Sequence, residues 1–350
     1  MFLYRCDGDM LRVQKDGRSW TAALPGTPPS HGEIWAHISG DERYIAFGNH
    51  RGVREETLSG ASRLDRVHGI WVYDLDAGRL MTVPHRVQRT DVFWDIMFDA
   101  ENALYYSDGN TFWRWRIGAE SVEKLFRFQK VKGAPMGLCV SPGGRVLSYY
   151  KYRADEKRLF LYDLETGESR DLHISIFYYG WLDEEHVVWT RMGGLKVLDV
   201  KSGTNRTLLR DHKAILKRCG GDDAARISCF LQEESVFEDL DLLGSHAGRL
   251  WFNLVLRSFP REEPGVLGFL KKKREPLLHD GVWSVGPDGK EPCFHYQVPE
   301  DCRHGYFSRL FRQGSLCWTG GDNVFRCWDG TDRRMFPSGW KPVFLPGECQ

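Results

Sequence analysis

Residues 159–172 read LFLYDLETGESRDL: an apolar run, a polar turn that ends in glycine, and a second, shorter run. The stretch WVYDLDAGRL at 71–80 has the same order of features. A Gly-bearing polar cluster between two apolar runs predicts a β-hairpin. The glycine can adopt the positive φ that a tight or bulged hairpin loop requires.

This turn recurs along most of the chain. Its glycines and their equivalents fall at positions 17, 78, 118, 167, 203, 289 and 330. The shorter intervals, from 36 residues (167 to 203) to 49 residues (118 to 167), match the roughly 40–50 residues of a four-stranded blade. The longer intervals therefore indicate insertions within the same repeat.

Short apolar strands accompany each turn. The second strands of the repeat are predicted at 44–47, 103–106, 146–149, 187–190, 250–253 and 315–318. The third strands are predicted at 70–73, 112–115, 159–162, 195–198, 282–285 and 324–327. Thirteen Trp, thirteen Tyr and twenty Phe agree with a strand-rich chain, because aromatic side chains pack well on a pleated surface.

Six full repeats and one partial N-terminal unit predict an all-β chain that forms a single β-propeller over residues 1–350, with about seven four-stranded blades and six or eight as alternatives. The N-terminal 24 residues supply about three strands, and 342–345 could supply a fourth. We therefore expect both termini to close the first blade, which removes exposed strand edges.

These runs resemble known propeller families. WVYDLDAGRL and LFLYDLETGESRDL are similar to the TolB-like and WD-repeat-like propellers, and YYSDGNTFWRW at 105–115 is similar to the blades of YWTD-type propellers. No blade combines the Gly-His and Trp-Asp pairs of strict WD repeats. The resemblance implies a fold and leaves function open, since the repeat serves binding modules, scaffolds and enzymes.

Charge and cysteine content narrow the class of protein. The 48 basic and 48 acidic side chains balance, which argues against nucleic-acid binding. The nine Cys include no Cys-x-x-Cys pair, so free thiols in a reducing compartment are expected rather than zinc or disulfides. The chain shows neither a signal-peptide pattern nor a long apolar run. We expect a cytoplasmic monomer with no cofactor and no membrane association.

No recognised catalytic motif is present: the chain lacks a nucleophile elbow, a phosphate loop and a dinucleotide fingerprint. The innermost strands are predicted at 35–39, 94–98, 137–141, 178–182, 240–244 and 307–311. Their polar members could line a central channel and help to hold a ligand; these candidates are His37, Asp95, Asp241 and Arg309. A solvated channel wall explains the same residues.

Three insertions, at 48–69, 210–235 and 254–281, are expected to share one face, because alternate connections of a four-stranded meander lie at opposite ends of its strands. The candidate partner-binding residues are Arg51, Arg54, Arg63, Arg66, Arg257, Phe259, Phe269, Lys271, Lys272, Lys273 and Arg274. The sequence favours a non-catalytic module that binds a protein or peptide through this face. The alternative is a lyase or lactonase-like hydrolase that uses the central pocket.

Overall fold

The protein is described by a computed structural model. The residues it describes are 2–7, 10–15, 17–23, 36–51, 55–56, 62–63, 66–85, 96–107, 111–127, 136–153, 156–176, 178–191, 194–233, 235–259, 261–264, 271–274, 277–303, 310–312, 314–319, 324–336 and 340–343.

The chain forms seven four-stranded antiparallel sheets, which are the blades of a seven-bladed β-propeller. Two further two-stranded ladders arise from insertions. The chain divides into two compact units, one of residues 1–176 with 337–350 and the other of residues 177–336. The predicted fold class is confirmed, and the predicted second and third strands fall on strands of the structure, except that Val324 immediately precedes β30.

The first unit contains blades 1 to 4. Blade 1 has the order β3 (Arg18–Ala23), β2 (Met10–Lys15), β1 (Leu3–Asp7) and β32 (Lys341–Pro342). Blade 2 has β4 (Ala36–Ile38), β5 (Tyr44–Arg51), β8 (Arg66–Asp74) and β9 (Arg79–Thr82), with the ladder β6 (Glu55–Glu56) and β7 (Ser62–Arg63) between β5 and β8. Blade 3 has β10 (Ile96–Phe98), β11 (Ala103–Ser107), β12 (Thr111–Arg116) and β13 (Glu123–Arg127). Blade 4 has β14 (Met136–Val140), β15 (Val146–Arg153), β16 (Glu156–Asp163) and β17 (Ser169–Ser175).

The second unit contains blades 5 to 7. Blade 5 has β18 (Tyr178–Trp181), β19 (His186–Arg191), β20 (Gly194–Asp199) and β21 (Asn205–Leu209). Blade 6 has β22 (Val236–His246), β23 (Arg249–Ser258), β26 (Leu278–Val285) and β27 (Cys293–Gln297), and the ladder β24 (Arg261–Pro264) and β25 (Lys271–Arg274) follows β23. Blade 7 has β28 (Leu310–Arg312), β29 (Ser315–Thr319), β30 (Phe325–Trp328) and β31 (Arg333–Phe336).

Short helices occur only in the second unit, within the part of the chain that the structure describes. Helices α1 (His212–Leu216) and α2 (Gly221–Ser228) and the 3₁₀ helix Cys229–Gln232 lie between blades 5 and 6 in the chain, and α3 (Glu300–Arg303) precedes blade 7. None of the described helices is long and apolar enough to cross a membrane.

The central strands are continuously apolar because each is buried on both faces. On β11, Leu104 and Tyr106 pack in the core shared with blade 2, whereas Tyr105 packs in the core shared with blade 4. Successive side chains of a strand point to opposite faces. A middle strand between two neighbouring blades therefore cannot show the alternation of a half-exposed sheet.

The turn at residues 163–167 adopts the geometry expected of a tight hairpin loop. In blade 4, the carboxylate of Asp163 accepts hydrogen bonds from the amides of Glu165 and Thr166 at 2.9 and 2.8 Å. Those amide bonds, led by the one from Thr166, lower the pKa of Asp163. Gly167 closes the turn with a φ of +76°. All seven predicted turn glycines have positive φ; they are Gly17, Gly78, Gly118, Gly167, Gly203, Gly289 and Gly330.

Candidate partner-binding surface on blade 6

Blade 6 has longer strands than its neighbours. Strand β22 has 11 residues and β23 has 10, whereas β18 of blade 5 has four and β28 of blade 7 has three. Val236 pairs with Ser258, so the additional length lies where β22 begins and β23 ends. The helical segment, which we define as residues 212–232 from α1 through the 3₁₀ helix, precedes β22 at this end, and the ladder β24–β25 follows β23 there.

One face of the extended sheet is covered by the helical segment. The carboxylate of Glu238 on β22 accepts hydrogen bonds from the backbone amide and from Nδ1 of His212, the latter at 2.9 Å. The carboxylate of Asp223 in α2 accepts a bond from the amide of Phe294 at 3.1 Å. The guanidinium of Arg226 lies 4.1 Å from the centre of the Phe294 ring. These contacts fix the helices to blade 6.

The insertion at 210–235 is therefore more than a decorating loop. Ile215, Ile227 and Phe230 are buried in the same core as Leu254 and Leu256 of blade 6. Burying three large apolar side chains contributes roughly 1.5–3 kcal/mol each to stability. The buried apolar residues of the insertion belong to the core of blade 6.

The opposite face of the extension is exposed. Phe237, Arg257 and Leu278 pair across β22, β23 and β26 in one row, and all three are exposed. Phe259 follows two residues after Arg257 and is also exposed. The exposed fractions of Phe237, Phe259 and Leu278 are 51%, 52% and 43%. We call these four residues the blade-6 surface.

The next row of the sheet is polar. Asp239 and Asp280 lie on either side of Val255 in the ladder. Burial raises the pKa of Asp239. Asp280 is buried and accepts a hydrogen bond from Nδ2 of Asn253 at 3.0 Å. Among the described residues, no group of three His, Cys, Asp or Glu side chains could hold a metal ion.

The ladder β24–β25 carries opposite charges in register. Glu262 pairs with Lys273, and Glu263 pairs with Lys272. The two strands contain five basic and two acidic residues. The basic strand is thus in register with a strand that carries two acidic residues, and the net charge of the two strands is positive.

Three hydrogen-bonded polar side chains on β23, β26 and β27 of blade 6 resemble a nucleophile–base pair. Nε of Arg249 donates to Oγ of Ser284 at 2.7 Å, so the hydroxyl can donate to Nε2 of His295 at 2.8 Å. Burial, assisted by Arg249, lowers the pKa of His295. Its ring stacks on Trp251 with centroids 3.9 Å apart. Ser284 is fully buried, so its hydroxyl is inaccessible to a substrate. The hydrogen bonds of these side chains instead hold the three strands together.

Two of the four predicted channel residues fall within the described part of the chain, one in each unit. His37 is buried in β4 of the first unit, and Asp241 lies half-buried in β22 opposite Asn253. Asp95 and Arg309 fall outside the described residues.

Of the predicted partner-binding residues, Arg257 and Phe259 lie on the blade-6 surface. Lys271, Lys272, Lys273 and Arg274 form β25. Arg51 pairs with Arg66, and Arg63 pairs with Glu55, in the first unit. Arg54 and Phe269 fall outside the described residues. That all three insertions share one face stays a prediction.

Two residues of the surface, Phe237 and Leu278, were missed by sequence reasoning. Leu278 lies within the predicted insertion at 254–281, and Phe237 lies between the predicted insertion at 210–235 and the predicted inner strand at 240–244. The structure narrows that insertion, because β23 continues to Ser258 and β26 begins at Leu278. The sequence signal for the extension of β22 was the stretch Phe237-Glu238-Asp239-Leu240. It is too short to predict which residues pair across the sheet.

Known structures share this fold. An oligogalacturonate lyase solved in complex with manganese matches 96% of this chain and 83% of its own, with a TM-score of 0.51 and 11% identity. The oligogalacturonate lyase of Vibrio parahaemolyticus matches 95% of this chain and 87% of its own, with a TM-score of 0.53 and 8% identity. A prolyl endopeptidase structure matches 97% of this chain and 48% of its own, with a TM-score of 0.55 and 11% identity.

TolB from Acinetobacter baumannii matches 99% of this chain and 80% of its own, with a TM-score of 0.44 and 13% identity. No protein-family model and no curated protein matches the chain. The class that the fold defines is a β-propeller, and the predicted resemblance to β-propeller families holds at the level of the fold. At these identities the likeness extends to the fold alone.

Proposed function

We propose that this protein is a non-catalytic binding module, and that it recognises an acidic, partly apolar segment of a protein partner through the blade-6 surface. The observation that carries the proposal is the exposed row of Phe237, Arg257 and Leu278 on a sheet whose other face packs against the helical segment.

The apolar content of the surface supports a binding role. Three large apolar side chains, each about half exposed, surround one arginine. Single exposed apolar residues are common on soluble proteins, but adjacent ones on a regular element are typical of interaction sites. Aromatic and arginine side chains also dominate the energetics of measured interfaces.

The charge of the surface favours an acidic partner. Arg257 lies between Phe237 and Leu278, and the ladder β24–β25 with its positive balance continues from the same strand. A guanidinium beside apolar side chains can hold a carboxylate in bidentate geometry while the apolar groups exclude water. Nearby positive charge would also speed the encounter with an acidic segment.

The surface is held on a rigid support. Leu254 and Leu256, which alternate with Val255 and Arg257 on β23, are fully buried against the helical segment. Binding residues on a well-packed strand lose little conformational freedom on association. The similarity to oligogalacturonate lyases is a similarity of fold alone, so it does not indicate a substrate for this protein.

The test compares three immobilised proteins in the native lysate: wild type, the double variant Phe237→Ser/Arg257→Glu, and the control Met335→Ser. Met335 is 64% exposed on β31 and lies outside the blade-6 surface. We expect wild type and control to retain the same partner and the double variant to lose it, with retention weakening as salt rises. Equal retention by all three proteins would contradict the proposal.

A further inference from the structure

We propose that Cys317 and Cys327 in blade 7 are a dithiol site that hydrogen peroxide converts into a reversible disulfide. The site is independent of the blade-6 surface. It stands on two observations, the register of β29 with β30 and the distance between the two sulfur atoms.

The register places the two cysteines directly opposite each other. Cys317 on β29 pairs with Cys327 on β30, in a ladder that also pairs Leu316 with Trp328 and Trp318 with Arg326. Directly opposed residues of an antiparallel ladder have Cα atoms about 4.5–5.5 Å apart. Disulfides need a Cα separation of about 4.4–6.8 Å, so the backbone requires no rearrangement.

The side chains are oriented toward each other. The two Sγ atoms lie 3.3 Å apart, and both side chains are fully buried. Only a small further approach separates this contact from the S–S bond length of about 2.05 Å. A buried free cysteine ordinarily serves as a small apolar side chain, but that role does not need a second sulfur in contact.

The chemistry balances with peroxide as the oxidant. One thiol loses its proton and its thiolate attacks a peroxide oxygen, the O–O bond breaks, and a sulfenic acid forms with release of hydroxide, which takes up that proton. The second thiol loses its proton and attacks that sulfur, the S–O bond breaks, and a second hydroxide leaves. In total, two thiols and one peroxide give one disulfide and two waters. A thiol reductant reverses the product by exchange.

A third cysteine, Cys302, is the alternative disulfide partner for Cys317. Burial raises the pKa of Tyr296, and the thiols of Cys317 and Cys302 add to that rise. Cys302 is therefore close enough to affect the same phenol. The geometry favours Cys327 as the partner of Cys317, because these two share both the register and the sulfur contact.

Peptide mapping of the full-length protein tests the site. The reduced protein is treated with hydrogen peroxide under native conditions, its remaining thiols are alkylated after denaturation, and it is digested with trypsin without reductant. Trypsin cleaves after Arg326, which separates the two cysteines into peptides 313–326 and 327–333. We expect these peptides linked and two mass units lighter than their sum, and released by reductant.

Cys139 serves as an internal control, because it is equally buried and general unfolding would expose it as well. It should stay alkylated while the linked pair forms. Closing the loop of residues 318–326 should also raise the melting temperature by roughly 5 °C, and Cys327→Ser should abolish both effects. Peptides 313–326 and 327–333 recovered separately and alkylated, or Cys317 linked to the peptide that contains Cys302, would overturn the proposal.

Discussion

His212 donates two hydrogen bonds, from its backbone amide and from Nδ1, to the carboxylate of Glu238. The first residue belongs to α1 and the second to β22, so one carboxylate holds the helical segment against blade 6. The His212 side chain is 5% exposed, and loss of the acceptor would leave its amide and ring without that partner.

We therefore expect Glu238→Ala to lower the free energy of unfolding by about 1–3 kcal/mol, the usual cost of leaving a buried polar group unsatisfied. Urea unfolding followed by tryptophan fluorescence measures the change. Glu165→Ala is the matched control, because that carboxylate is 76% exposed and 3.9 Å from its nearest base, Arg145. If both variants unfold at the same urea concentration, His212 and Glu238 do not fix the insertion.

The buried imidazole of His279 predicts an acid-sensitive second unit. Its Nε2 accepts a hydrogen bond from Nε1 of Trp283 at 3.0 Å. Burial, with a contribution from the charge of Arg226, lowers the pKa of His279 to about 4. The unfolded chain binds this proton near pH 6.5 and the folded chain only near pH 4. The contribution of His279 to the free energy of unfolding is therefore fully present above pH 6.5. It decreases as the pH falls toward 4, by about 3 kcal/mol in total.

Thermal unfolding between pH 7 and pH 4 measures this effect. We expect His279→Gln to flatten the decrease relative to wild type, even if the variant is less stable at pH 7. His173→Asn is the control, because that side chain is 75% exposed, and its curve should run parallel to wild type. A His279→Gln curve that also ran parallel to wild type would exclude His279 as the source.

The long connection of blade 6 can be shortened at defined points. The amide of Ser258 donates to the carbonyl of Leu277 at 3.0 Å, and the amide of Leu277 donates to Oγ of Ser258 at 2.7 Å. The chain ends there are already adjacent, so a short Gly-containing turn can replace residues 259–276. We expect that replacement to change the melting temperature by only a few degrees, since loop length has a weak effect on stability.

Removal of the wider segment 254–281 is expected to unfold the protein. It deletes Leu254 and Leu256, which are fully buried, and each such loss costs about 2–5 kcal/mol. Circular dichroism melts of the two deletions give the comparison. Equal stability of both would mean that the extended strands contribute nothing to the core.

Much of the fold was predictable because its signals are local. A glycine with positive φ and an aspartate that caps its own turn leave a sequence signature, as at Asp163 and Gly167. The middle strands were predictable because their signal is also local. A strand that is buried on both faces needs a nearly continuous apolar run, such as that of Ala103–Ser107.

The site was less predictable because it depends on register. Phe237, Arg257 and Leu278 become one surface only through the pairing of three strands, at positions up to 41 residues apart (237 to 278). The extension of β22 and β23 beyond the neighbouring strands has no turn signal to mark it. The helices of residues 212–228 are short, and their few buried residues, such as Ile215, gave no clear period.

Site-specific photo-crosslinking tests the central claim most directly. A photoreactive benzoylphenylalanine is placed at position 237 in one protein and at position 335 in another, and both are irradiated in the native lysate. We predict a discrete protein adduct from position 237 that fades when Arg257→Glu is added, and none of the same mass from position 335. Identical adducts from the two positions, or no adduct from position 237, would contradict a binding role for the blade-6 surface.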